Sequence, residues 1–449
     1  MQTNFGRRDF LKSSAVVASA VAMSAVNYKR VMGANERLRV ASIGTGGKGK
    51  SDLTSVAKSP SVDVVALCNV DSSEQHLGWA VEAYPQATTY ADWRVLLDES
   101  KSFDACIVST PDFMHAPIAL PAMSLGKHVY CQKPLAHTVF ETRQMQLAAR
   151  RNNVVTQMGN QIHSHEAYRT ATAWVHQGKI GKAKAVHAWQ SGNPKWRVAA
   201  QRPNGTDPIP SNLRWDLWQG VAAERPFKVN IYHPFNWRHW RDYGTGQLGD
   251  FGCHILDPVF TALKLSSPIS VWAIGPAIQP EVWTDSSTVR YVFPKTELTE
   301  GATIPVTWYD SVGVRPPRDL FSDIPESYPL PSAGSVIVGT EGSIVIPHVA
   351  APKLFPEEKF ASTELQTFPG LDHYVQWADA ARGVGKTTDD FSYAGPLTET
   401  VLLGTIAIRQ PGETLKWNAE KLLITNSESA QSMTSKPYRS GWEPKWSDS

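Results

Sequence analysis

Asp250 and His254 stand four residues apart in Gly249-Asp250-Phe251-Gly252-Cys253-His254, and Asp257 follows three later. If the stretch from Gly244 to Asp257 is a helix, the three share a face. A carboxylate beside an imidazole can orient the ring and hold its pKa near neutrality, as a general base requires, so Asp250 is expected to orient His254. Standing alone, the same pattern is more often a histidine satisfied by its helical neighbour. A nucleotide-binding pattern upstream tips it toward chemistry.

That pattern starts with the apolar run Leu38 to Ile43, continues through Gly44-Thr45-Gly46-Gly47-Lys48-Gly49, and enters a segment that can be helical to Lys58. Strand, G-x-G-x-x-G and helix together form a dinucleotide cradle. Gly44 permits the tight turn, Gly46 is expected to let the backbone approach a pyrophosphate, and Gly49 allows close packing of helix and strand. A second apolar strand, Val62 to Val70, leads into Asn69-Val70-Asp71, where an acid would grip a ribose.

The elements that must hold these residues alternate up to Met158: helix Asp92 to Glu99, strand Phe103 to Ser109, helix His115 to Leu125, strand Lys127 to Cys131, helix His137 to Arg151 and strand Val154 to Met158. This is the order of a doubly wound parallel sheet, whose active groups lie beyond the carboxyl ends of the strands. Thr110-Pro111-Asp112 and Gln132-Lys133-Pro134 both fall there. Past Gly159 the alternation stops. Strands Ala183 to Gln190, Ser270 to Ile274, Val289 to Phe293, Thr303 to Tyr309 and Ser335 to Val338 read as an open, largely antiparallel sheet. An insert from Ser191 to Tyr243 carries Trp196, Trp215, Trp218, Trp237 and Trp240, and so long a connection is usually functional. The expected fold class is α/β plus α+β: a Rossmann domain over 35–158 and a substrate domain over 159–449.

The 449 residues suffice for two or three domains, which excludes a single small binding module. Lys and Arg number 44 against 42 Asp and Glu, with the signs interspersed, which argues against a nucleic-acid partner. Sixteen Trp could stack sugar rings, although Trp is more often a large core residue. Cys68, Cys106, Cys131 and Cys253 form no CxxC pair and no His stands at ligand spacing from them, so free thiols and no metal site are expected. His163 and His165 read as a solvated loop pair. Near the N-terminus, Gly6-Arg7-Arg8-Asp9-Phe10-Leu11-Lys12 precedes an Ala- and Ser-rich run from Ser13 to Val26. This matches a twin-arginine export signal over 1–34, read by the twin-arginine export machinery, and is short of the roughly 20 residues of a stable membrane anchor. The expected location is the periplasm.

With these motifs in order, the sequence from about Glu36 resembles the glucose-fructose oxidoreductase, inositol dehydrogenase and rhizopine-catabolism family, Gfo/Idh/MocA. The glycine loop, the Lys-Pro after the fifth major strand and Asp-x-x-x-His carry the resemblance, and Met158 to Gln161 and Tyr232 to Trp237 are similar to exported members. The resemblance implies catalysis by Lys133 and His254 with support from Asp250. Around NAD or NADP, tightly bound, it places Gly44, Thr45, Gly46, Gly47, Gly49, Asn69, Asp71, Thr110, Pro111, His115 and Lys133. Gln161, His163, His233, Trp237 and Arg238 are the expected substrate contacts, and copies are expected to pair as a homo-oligomer through the open sheet. Two positions depart from the family. Gln132 replaces the usual Glu, removing a carboxylate that could tune the lysine, and Asn69 replaces an Asp that would repel a 2′-phosphate. The implied activity is oxidation of a secondary alcohol on a sugar, glycoside or polyol. The alternatives are a redox-neutral glycoside hydrolase or epimerase working on a retained cofactor, and a non-catalytic sugar-binding protein.

Overall fold

The computed structural model describes residues 37–192, 199, 201–276, 279–284, 286–311 and 313–443. The expected export signal and Trp196 lie outside them. The first domain is a parallel sheet ordered β3-β2-β1-β4-β5-β6, from β1 (Leu38–Ile43), β2 (Val62–Cys68), β3 (Thr88–Tyr90), β4 (Ala105–Val108), β5 (His128–Gln132) and β6 (Thr156–Gly159). The central strands are continuous apolar runs because helices cover both faces, and β4 is buried along its whole length. Those helices include α1 (Lys48–Val56), α2 (Trp93–Asp98), α3 (His115–Ser124) and α4 (Val139–Arg151). Capping decides two of the starts. The Asp92 carboxylate accepts from Arg94 N, and Thr138 with Glu141 forms a reciprocal capping box. By contrast, α1 begins at Gly47 with no side-chain cap.

After α5 (Glu166–His176) the chain enters a second sheet with strand order β13-β12-β11-β7-β10-β9-β8-β14-β15. Its members are β7 (Ala183–Gln190), β8 (Ser270–Ile274), β9 (Ser287–Pro294), β10 (Thr303–Asp310), β11 (Ala333–Gly339), β12 (Ser343–Pro347), β13 (Lys353–Phe355), β14 (Thr414–Asn418) and β15 (Leu423–Ile424). The sheet is antiparallel apart from the β7–β10 pair. In β9 buried residues alternate with more exposed ones, as a strand with one covered face requires. Two long apolar helices, α6 (Gly246–Leu263) and α8 (Phe391–Ile408), lie against this sheet, and α8 also packs on α4 and β6. A short helix between them in sequence, α7 (His373–Ala381), packs on α1. One apolar cluster therefore runs from Ile43 and Val108 in the first domain to Val289 and Val306 in the second.

The strands expected from the sequence appear within about two residues of their expected limits. The four cysteines are buried free thiols. The Trp-rich insert builds a small core of its own: Trp215 stacks on Trp218 at 4.7 Å, and Tyr232 meets Trp240 and Tyr243 edge-on. Of its four described indoles Trp215 and Trp240 are packing groups, whereas Trp218 and Trp237 reach a cleft.

Candidate active site

A cleft of about 860 Å³ begins at Gly44, Gly46, Gly47 and Lys48, passes Asn69, Thr110 and Pro111, and ends at Lys133, Gln161, Asp250 and His254. The insert roofs it with Trp218, His233, Phe235, Trp237 and Arg238. At the first end Gly44 has φ 84°, and a Cβ there would meet Ser109 O at 2.6 Å. A Cβ on Gly49 would meet Gly44 O at 1.8 Å, so helix and strand touch as the glycine pattern requires. Gly47, at the uncapped start of α1, has nothing within 4 Å of the place its Cβ would take. Open space before a helix N-terminus with no side-chain cap fits a pyrophosphate, and the buried Thr110 Oγ1, without a hydrogen bond among the described residues, is a polar group available nearby.

Other residues near the loop do different work from that expected. Gly46 faces the His76 ring, whose Cδ2 lies 2.1 Å from where a Cβ would sit, so a side contact inside the protein demands this glycine. Thr45 turns inward, donating to His76 O at 2.8 Å and accepting from Asn69 Nδ2 at 3.0 Å. His115 lies beneath the cleft with its ring nitrogens 2.8 Å from the carbonyls of Pro134 and Thr110, bracing the two loops. Asp71 faces the insert. Its Oδ1 accepts from Ser73 N and Asn212 Nδ2, and its Oδ2 lies 2.7 Å from His233 Nε2 and 3.1 Å from His76 Nδ1. Burial pushes the Asp71 carboxyl up, but the bonds from His233, Ser73 and Asn212 outweigh that and hold it well below the usual range. Although no metal site was expected, Asp71, His76 and His233 bring three donor atoms within 4.8 Å. Asp71 and His76 stand five apart in sequence, but His233 comes from the insert, so spacing alone could not show the group. Their geometry is that of one imidazole, His233, hydrogen-bonded to the carboxylate, and a second, His76, beside it with its Nδ1 3.0 Å from Ser73 Oγ.

At the other end, α6 puts Asp250 and His254 on one face, as their spacing implies, but Asp250 does not orient the histidine. Lys133 Nζ donates to Asp250 O and Oδ1, each at 2.6 Å, and Arg238 Nε lies 3.6 Å from the same carboxylate. Burial raises the Asp250 carboxyl, and the charges of Lys133 and Arg238 more than reverse this, leaving it well below the usual range. His254 is held instead by Asn160, whose Oδ1 lies 2.5 Å from Nδ1 while its Nδ2 donates to Cys253 O at 3.2 Å. The Nδ2 bond sets the amide so that Oδ1 accepts, which fixes Nδ1 as the protonated nitrogen and leaves Nε2 as the base. Burial, followed by Lys133 and His348, holds His254 well below the ordinary histidine value and hence neutral. The sequence reading missed Asn160; its place just beyond β6, at the carboxyl ends of the strands, was the available signal.

The remaining expected contacts divide. Gln161 lines the cleft and donates to Tyr130 OH and Gly159 O, both at 2.7 Å. Arg238 lies 4.2 Å over the Trp237 ring and 4.6 Å over that of Phe235. His163 is no solvated loop residue: its Nδ1 pairs with Asp257 Oδ1 at 2.9 Å, away from the cleft. His165 caps α5. Gln132 donates to the buried Asp52, whose carboxylate also accepts from Lys48, Ser109 and Tyr374. A glutamate at 132 would meet that carboxylate with like charge, which explains the amide.

Comparison with known proteins agrees with this arrangement. Residues 38–160 match the oxidoreductase family's NAD-binding Rossmann fold, and residues 172–294 match its C-terminal alpha/beta domain, together more than half of the chain. The chain belongs to the Gfo/Idh/MocA oxidoreductase family. A levoglucosan dehydrogenase of Pseudarthrobacter phenanthrenivorans is 25% identical over 232 residues, covering 49% of this chain and 50% of that protein. An alpha-N-acetylgalactosaminidase of Shewanella oneidensis is 30% identical over 220 residues, 43% of this chain and 48% of that protein. The chain thus spans about half the length of the curated relatives it matches. Among solved structures, a levoglucosan dehydrogenase in complex with NADH and levoglucosan superposes with TM-score 0.59 at 18% identity, over 85% of this chain and 99% of that one. WlbA dehydrogenase of Bordetella pertussis, in complex with NADH and UDP-GlcNAcA, gives TM-score 0.59 at 15% identity, again over 85% and 99%. At such identities the likeness establishes the two-domain fold.

Proposed function

We propose that this family member oxidises a secondary alcohol of a sugar, glycoside or polyol with a tightly retained NAD or NADP. The observation that carries the reading is the convergence of Lys133, Asp250 and His254 at the inner end of the cleft that starts at the glycine loop. The glycine loop, the open start of α1 and Thr110 would hold the dinucleotide, which when bound supplies the two-electron acceptor. His254, neutral and presenting Nε2, takes the proton of the reacting hydroxyl. Lys133 has three N–H donors, two of which go to Asp250; the third remains for the substrate oxygen and stabilises charge developing there. Asp250 positions the ammonium.

A second reading, redox-neutral glycoside hydrolysis on the retained nucleotide, is favoured by the likeness to the galactosaminidase and by the roof over the cleft. Turnover of a glycoside without a second substrate would select it. Export by the twin-arginine route and pairing through the second sheet belong to the same proposal. The export part fails if changing Arg7 and Arg8 to Lys leaves the periplasmic amount unchanged.

The test of the main reading is mass spectrometry of the native and denatured protein, to identify the nucleotide, followed by turnover of Lys133→Ala and His254→Ala. Each variant should keep its nucleotide and lose about 100- to 10,000-fold in rate, the usual contribution of a positioned acid-base group. Full activity in His254→Ala would remove it as the base.

A further inference from the structure

A second imidazole stands beside His254, outside the reaction drawn above. His348 follows β12, and its ring centroid lies 5.6 Å from that of His254 with the planes 35° apart. Phe251 stands edge-on to both rings, at 6.2 Å from His254 and 6.1 Å from His348. The backbone N–H of His348 donates to Ala333 O at 2.9 Å, and its Nδ1 lies 3.2 Å from the hydroxyl of the buried Tyr168. Nε2 has no hydrogen bond among the described residues. Directly after it Val349 holds φ 61° while 54% exposed. A β-branched residue in the left-handed region is a backbone outlier, and such outliers gather where a neighbouring side chain must be aimed at a ligand.

We propose that His348 is a substrate-binding residue whose Nε2 hydrogen-bonds a second hydroxyl of the carbohydrate whose reacting hydroxyl is held by His254. The inference rests on the carbohydrate reading above and deepens it. Two imidazoles at this separation span neighbouring hydroxyls of one ring, so the pair selects which hydroxyl is presented for oxidation. Burial, followed by Lys133 and His165, lowers the His348 pKa and keeps the ring neutral. A neutral imidazole donates or accepts according to its tautomer, which suits a hydroxyl, itself both donor and acceptor. The substrate class at this position is a polyol or glycoside. Tyr168 holds the ring from its other side through Nδ1.

The test uses the full-length protein with its nucleotide and three probes, levoglucosan, D-glucose and myo-inositol. Binding is read by saturation-transfer NMR and oxidation by the appearance of reduced nicotinamide. His348→Ala should raise KM about tenfold or more, the value of one hydrogen bond in a site built for it, with kcat changed by no more than about threefold. His348→Gln should recover part of the loss, and Tyr168→Phe should raise KM by less. Nucleotide content should stay at the wild-type value in all three, and melting temperature should fall by no more than a few degrees, since each variant leaves at most one buried partner without its hydrogen bond. Undiminished probe binding and an unchanged KM in His348→Ala would overturn the assignment alone, and so would a loss that tracks nucleotide content. A wild-type protein that neither binds nor oxidises any probe would overturn the carbohydrate reading and the assignment together.

Discussion

Two side chains outside the set of Lys133, Asp250 and His254 shape the site at the residue scale, and the sequence reading named only one of them, Gln132. Asn160 fixes the tautomer of His254, so Asn160→Asp, placing a carboxylate against Nδ1, should favour the imidazolium. The base must be neutral to work. The acid limb of the kcat/KM profile should therefore move to higher pH, by about one unit or more, and a pH–rate profile superimposable on the wild type would exclude Asn160 as the orienting group. Gln132 is the second. Restoring the family's glutamate would put it against Asp52, which already accepts from four donors. Gln132→Glu should cost about 1–3 kcal/mol of stability, the cost of losing a buried hydrogen bond to a charged group and setting two carboxylates together. Adding Asp52→Asn should recover much of it, because the charge and the amide then exchange places. Thermal unfolding of the three proteins decides the point.

Among the elements, the insert is what closes the nucleotide cleft. It is stitched to the end of β2 by a bridge between Asp71 and Leu213, by Arg214 N to Val70 O at 2.8 Å, and by the bonds that His233 and Asn212 make to the Asp71 carboxylate. Asp71→Ala removes the side-chain part of this seam. It should speed loss of nucleotide on dialysis, and should weaken NAD and NADP to the same degree, because the carboxylate faces the insert. A selective gain of NADP binding would instead mean that Asp71 reaches the ribose, as the sequence reading expected.

Stability of the molecule as a whole has a pH signature at the junction of its two domains. His163, in the turn after β6, meets Asp257 on α6. Burial lowers the His163 pKa, but the charge and hydrogen bond of Asp257, with Asp389 adding, outweigh burial and carry it to about 9. An unfolded histidine titrates near 6.5. The folded value is the higher, so the pair's stabilisation is complete below about pH 6.5 and is lost as pH rises through 9, an effect of at most about 3 kcal/mol. The gap in melting temperature between wild type and His163→Gln should be widest near pH 6 and narrow by pH 10; a gap that widens with pH would refute the ion pair.

By itself, the sequence determined what local pattern can encode: the alternation of strands and helices, the glycine turn at Gly44, the close pass at Gly49, and the common face of Asp250 and His254. These follow from backbone sterics and the periods of strand and helix, which act over a few residues. The partners were decided elsewhere. Lys133 takes Asp250 across 117 positions, Asn160 takes His254 across 94, and Asp71 takes His233 across 162. A carboxylate or imidazole satisfies its hydrogen bonds with whichever group the packed sheets bring within about 3 Å, whatever its distance along the chain. That is why the helix placed Asp250 correctly while the fold gave it to the lysine and left the histidine to an asparagine.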